Sequence, residues 1–138
     1  MRPDLKRSVP KYSIISISQE LLQTVFDAAQ RVYPRETIFL LRGEKKKDVI
    51  TVTELLIPPL ANYGRGFANI RLHMLPMDFS IVGTIHSHPS GNISPSHTDL
   101  NHFIGPVLVI TGFPFTDERN VAAYNRKGEK LVLRVTRP

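Results

Sequence analysis

Apolar positions along the chain follow two periodicities in turn, and their alternation predicts a mixed fold. Beyond a polar, proline-bearing opening of residues 1–11, Ile14-Ile15-Ser16-Ile17 reads as a short strand. Ser18 then stands where a helix cap belongs, and Leu21, Leu22, Val25, Phe26 and Ala29 recur at helical spacing until Tyr33-Pro34 ends the pattern. Residues 38–41 and 49–57 flank a charged stretch from Gly43 to Asp48 and predict a hairpin, closed by Pro58-Pro59. Residues 60–71, with Asn62, Gly64 and Gly66, read as a loop or flap, and residues 72–79 as a short helical turn interrupted by Pro76. Ile81-Val82-Gly83-Thr84-Ile85 is a β-branched apolar run of the kind found in buried strands. Pro89, Gly91 and Pro95 break it, and Ser94-Pro95 predicts a helix start with Ser94 as N-cap. Residues 107–111, 120–124 and 131–135 complete the strands. Helices and strands alternate too irregularly for a doubly wound sheet, so the expected class is α/β of the α+β kind, one mixed sheet packed by helices. The expected organisation is a single domain over residues 12–138, preceded by a flexible extension over residues 1–11.

The chemistry concentrates in His86-Ser87-His88-Pro89-Ser90-Gly91-Asn92-Ile93-Ser94-Pro95-Ser96-His97-Thr98-Asp99. On an extended backbone, side chains two apart share a face, so His86 and His88 can point at one ion. Ser96 and Asp99, three apart, project from one side of the helix that follows. A strand end facing a helix start thus offers two imidazoles and a carboxylate while leaving a fourth tetrahedral position open, the arrangement of catalytic rather than structural zinc. The plainer reading of Ser96-His97-Thr98-Asp99 is a capping box, which the same four residues also satisfy.

The order His-x-His-Pro, loop, Ser-x-x-Asp resembles the JAMM motif of the MPN-domain zinc metalloproteases, and the short chain is most similar to the small prokaryotic, archaeal-type members. That family also places a glutamate upstream of a buried strand, where Glu36 precedes Ile38-Phe39-Leu40-Leu41 and Gly43. The resemblance implies the MPN fold, a curved mixed β-sheet flanked by helices and related to cytidine deaminases. It implies one zinc ion per chain on His86, His88 and Asp99, Glu36 as general base, and Ser96 as support for the oxyanion. It further implies a protease or isopeptidase acting after the C-terminal Gly-Gly of a ubiquitin-like or sulfur-carrier protein.

Composition narrows the alternatives. With 138 residues and 41% hydrophobic content the chain suits one core, and with no cysteine any metal must be held by histidine and carboxylate. No apolar run approaches the ~20 residues a membrane helix needs, and the opening lacks the apolar centre of a signal peptide, so a cytoplasmic protein is expected. Lys+Arg 18 against Asp+Glu 12 gives a net charge of +6. The positive residues are scattered over the opening segment and two turns with acids interspersed, which argues against nucleic acid as a partner. Homo-oligomerisation is left open. Three other classes compete: a non-haem iron site, which gives Glu36 and Ser96 no task; a RadC-like DNA-associated protein, which shares His-x-His-Pro-Ser-Gly; and a non-catalytic MPN binding module, whose members usually lose a motif residue.

Overall fold

The computed structural model describes residues 12–58 and 80–138. Ser18 does cap the first helix: its side chain accepts a hydrogen bond from the Leu21 amide, and α1 (Gln19–Val32) follows strand β1 (Ile14–Ser18) directly. Leu22, Val25, Phe26 and Ala29 form the buried face of α1, as their spacing requires. They pack on Ile15 and Ile17 of β1 and on the inward side chains of the strands β2 (Ile38–Lys46), β3 (Val49–Leu56) and β4 (Ile81–His88). Burying side chains such as Leu22 and Phe26 contributes about 1.5–3 kcal/mol each.

Three more strands complete the sheet: β5 (Val107–Gly112), β6 (Val121–Tyr124) and β7 (Lys130–Thr136). The order is β1-β3-β2-β4-β5-β6-β7, and β7 returns to pair in parallel with β1, so the expected curvature continues to closure. The β4–β5 pair is also parallel, while β2 runs antiparallel to β4. Every residue of β5 is buried because both of its faces are covered. Val107 and Val109 join the core under α1, whereas Leu108 and Ile110 join a second cluster with Ala122 and Tyr124, against which Ile93 and Phe103 pack. Thr84 pairs with Leu108 and His86 with Ile110, so His86 and His88 lie on the side of the second cluster, across the sheet from α1.

Two local expectations are corrected. The charged stretch from Gly43 to Asp48 is mostly strand: β2 passes a bulge at Arg42/Gly43 and runs to Lys46, leaving a two-residue turn with Lys47 at φ 58. Glu44, Lys45 and Lys46 are exposed and pair only with β3, so their charge marks a solvated ladder rather than a turn. Gly43 is needed there because a Cβ would stand 2.3 Å from the Thr51 carbonyl oxygen. The second helix, α2 (His97–Asn101), begins after Ser96 and not after Ser94. The Asn92 side chain accepts a hydrogen bond from the Ser94 amide at 2.9 Å, which spends Ser94 in a turn. The expected flap at residues 60–71, the turn at 72–79 and the extension at 1–11 lie outside the described residues. No helix among the described residues is long and apolar enough to cross a membrane.

Candidate metal centre

Strand β4 extends through His88, so both histidines are presented from regular backbone, and α2 faces them with Asp99 in its first turn. The three side chains converge. The Nε2 atoms of His86 and His88 are 3.2 Å apart, Asp99 Oδ1 is 3.4 Å from His86 Nε2, and Asp99 Oδ2 is 3.2 Å from His88 Nε2. His86 is 0% exposed and Asp99 2%, so the cluster is recessed below the surface. Among the described residues it is the only group of three or more histidine or acidic residues whose ligand atoms come this close.

Each member is oriented by a neighbour. His88 Nδ1 lies 2.8 Å from the Asn92 carbonyl oxygen, which can only accept; Nδ1 therefore carries a proton, assigned from this geometry, and Nε2 is the nitrogen turned toward Asp99. The Ser96 amide donates to Asp99 Oδ2 at 2.8 Å, and the Asp99 amide donates to Ser96 Oγ at 3.0 Å, a complete capping box. Both readings of Ser96-x-x-Asp99 hold together: the box is formed, and it aims the carboxylate at the histidines.

The electrostatics follow from this crowding. Burial opposes charge on Asp99, but hydrogen bonds from His86, His88 and the Ser96 amide outweigh it and hold the carboxyl far below the usual carboxylate range. Burial likewise opposes charge on His88, yet Asp99, the Asn92 carbonyl and the charge of Glu36 together raise its pKa. A recessed carboxylate and two ring nitrogens facing it form a site that favours a cation. Two imidazoles and one carboxylate, with no cysteine in the chain, suit zinc, so the residues present fit that ion.

Glu36 lies on the run into β2. Ile38 pairs with His86, the Ser87 amide donates to the Thr37 carbonyl at 3.0 Å, and continuing that antiparallel register sets Glu36 opposite His88. Glu36 is exposed, and its charge acts on His88, so it stands beside the cluster and outside it. Ser96, also exposed, uses its oxygen as an acceptor in the cap and keeps its hydroxyl hydrogen available to donate.

Three groups in the neighbourhood were not singled out by their residue type. Asn92 acts through its backbone carbonyl. Ser87, fully buried between the two histidines, accepts a hydrogen bond from the Thr37 amide at 2.9 Å. Tyr124 on β6 donates its hydroxyl to the Ile93 carbonyl at 2.6 Å and so ties down the loop that carries Asn92. Burial raises the Tyr124 pKa, with a hydrogen bond to Ser94 opposing, so the hydroxyl stays a donor.

Comparison with known proteins agrees with this geometry. The family described as prokaryotic homologues of the JAB domain matches residues 18–127. A probable metalloprotease of Haloferax volcanii is 34% identical over 123 residues, which cover 84% of this chain and 76% of that protein. A JAB1/MPN-domain protein from Archaeoglobus fulgidus is 37% identical with a TM-score of 0.65, the match covering 88% of this chain and 98% of the other. A structure described as a metalloprotease-like JAMM zinc site in the proteasome and signalosome is 35% identical with a TM-score of 0.61, covering 90% and 99%.

Proposed function

The chain belongs to the prokaryotic JAB-domain family, within the JAMM-like metalloproteases, and from that membership we propose that it is a zinc isopeptidase. Its substrate on this reading is a ubiquitin-like or sulfur-carrier protein, cut after a C-terminal Gly-Gly. The observation that carries the proposal is the convergence of His86, His88 and Asp99 in a recess beside an exposed Glu36.

Zinc bound at such a centre supplies a Lewis acid for the scissile carbonyl and lowers the pKa of water from 15.7 to about 7. The protein's own groups do the rest. His86, His88 and Asp99 would be the ligands, held ready by Asn92 and the Ser96 cap, so little ordering remains when the ion binds. Glu36 is the group assigned to take a proton from the attacking water and pass it to the departing amine. A carboxylate opposite His88 has the reach for both transfers, and no covalent bond to the protein is required. Ser96 is assigned to donate its hydroxyl hydrogen to the developing oxyanion, a contribution of about 3 kcal/mol in other hydrolases.

The recess supports a glycine-rich substrate. With His86 at 0% and Asp99 at 2% exposure, a scissile carbonyl must approach closely, and a Gly-Gly tail brings no Cβ to obstruct it. Such a tail can be held in extended form by backbone hydrogen bonds. The test is a panel of zinc-loaded cleavage reactions on fusions that end a ubiquitin-like fold in Gly-Gly, with products mapped by mass. A single cut after the second glycine is expected, lost in Glu36→Gln at unchanged zinc content. Intact fusions in the presence of stoichiometric zinc would overturn the substrate assignment, and a fully active Glu36→Gln would overturn the mechanism.

A further inference from the structure

We propose that Ser87, the residue between the two histidines, is a positioning residue for Glu36. The inference rests on the reading of Glu36 as the base and deepens it. Ser87 is 0% exposed and occupies the sheet face opposite to its histidine neighbours, so it touches neither substrate nor metal. Its importance lies in the ladder between β2 and β4. In a hydrogen-bonded antiparallel pair two residues exchange both of their N–H···O bonds. Here only one of the two is made between backbones: the Ser87 amide donates to the Thr37 carbonyl at 3.0 Å. The Thr37 amide donates instead to Ser87 Oγ, at 2.9 Å. The serine hydroxyl thus stands in for a carbonyl at Thr37, the residue between Glu36 and the start of β2.

That substitution matters because the glutamate has little else to fix it. Among the described residues no hydrogen bond or ion pair reaches the Glu36 side chain, and the backbone of residues 36–38 carries it to its place opposite His88. Thr37 is pinned at both its amide and its carbonyl, and both bonds go to Ser87. Deleting the hydroxyl leaves the Thr37 amide without an acceptor and the Glu36–Thr37 peptide free to swing. A base must lie within about 2.6–3.2 Å of the proton it takes, and a displacement near 1 Å costs on the order of 100-fold in rate.

The experiment compares Ser87→Ala, Ser87→Thr, Glu36→Gln and the Ser87→Ala/Glu36→Gln double variant in the zinc-loaded full chain. Cleavage of a Gly-Gly fusion, zinc affinity by chelator competition and exchange of the Thr37 amide by NMR are measured on each. Ser87→Ala is expected to lower kcat about 10- to 100-fold with KM and zinc affinity unchanged. It should also speed Thr37 exchange, a readout independent of turnover. Ser87→Thr, which keeps the hydroxyl, restores both, and in the inactive Glu36→Gln background Ser87→Ala still speeds Thr37 exchange. Should the alanine variant fold poorly, Ser87→Cys keeps the volume with a weak acceptor and takes its place. Wild-type kcat in the alanine variant beside an inactive Glu36→Gln overturns the inference alone. So does a fall in zinc affinity matching the fall in rate, which would place the effect at the histidines. An active Glu36→Gln removes the base assignment and the inference with it.

Discussion

The cap that Ser96 forms and the oxyanion contact proposed for it can be separated by substitution. Its oxygen accepts from the Asp99 amide at 3.0 Å while its amide donates to Asp99 Oδ2 at 2.8 Å, so the cap and the orientation of a ligand are one structure. α2 has five residues, far fewer than a helix needs to persist alone, which makes the cap a large part of what holds Asp99 in place. An N-cap serine replaced by alanine costs about 1 kcal/mol, whereas glycine costs a few tenths. With tenfold in affinity for every ~1.4 kcal/mol, zinc binding should weaken about fivefold in Ser96→Ala and less than about twofold in Ser96→Gly. The oxyanion contact proposed for the hydroxyl would be lost equally in both, a cost of about 100- to 1000-fold in kcat. The two variants should therefore differ in zinc affinity and agree in turnover. Chelator competition gives the first quantity, and cleavage of a Gly-Gly fusion at saturating zinc gives the second. Wild-type kcat in zinc-saturated Ser96→Gly would reduce Ser96 to a cap, and unchanged zinc affinity in Ser96→Ala would show that the capping box does not hold the ligand.

Three further substitutions test the surroundings. His88→Ala should lose most bound zinc, read by elemental analysis after purification without chelator, while the far-ultraviolet spectrum of the fold is kept; stoichiometric zinc would place the site elsewhere. Gly83→Ala would put a Cβ 1.9 Å from the Val107 carbonyl oxygen where the β4–β5 pair begins, so thermal or urea denaturation should show a loss of about 3 kcal/mol or more, and a change within about 0.5 kcal/mol would contradict the packing. Tyr124→Phe deletes the donor to the Ile93 carbonyl and should cost about 1 kcal/mol in urea denaturation together with a measurable loss of zinc affinity; an unaffected affinity would show that the loop holds Asn92 without it.

The convergence of His86, His88 and Asp99 was legible because each residue's placement depends on a local rule. His86 and His88 share a face by strand periodicity, and Asp99 is placed by a four-residue capping pattern, so neither needed knowledge of distant chain. The helix start was misread for a related reason. Ser94-Pro95 and Ser96-x-x-Asp99 both satisfy local capping rules, and the choice was made by the Asn92 side chain engaging the Ser94 amide. The run from Glu44 to Lys46 looked like a turn because all three of its side chains are exposed, which removes the alternation that marks a strand. Closure of the sheet was invisible for want of any local signal: Ile14 pairs with Val132 across nearly the whole chain.

Residues that orient the ligands were harder to read than the ligands because their contribution runs through the backbone. Asn92 offers a carbonyl that any residue would offer, so its side chain carries no trace of the bond to His88. Ser87 holds Thr37, 50 residues away in sequence, only because the register pairs Ile38 with His86, and that register is a property of two strands and not of either alone. Tyr124 reaches the Ile93 carbonyl from β6, a strand whose neighbours in the ladder are β5 and β7 and not the loop it steadies. A metal centre assembled on strand and helix ends needs such restraints, since the loop from Pro89 to Pro95 must hold a carbonyl against His88 without regular structure of its own. The tyrosine supplies a short hydrogen bond at Ile93, the apolar cluster of Leu108, Ile110 and Ala122 receives the Ile93 side chain, and the peptide next to Ile93 is the one that fixes the His88 tautomer. Rigidity at the centre is therefore set by packing on the far strands, which is why substitution at β6 is expected to register in zinc affinity.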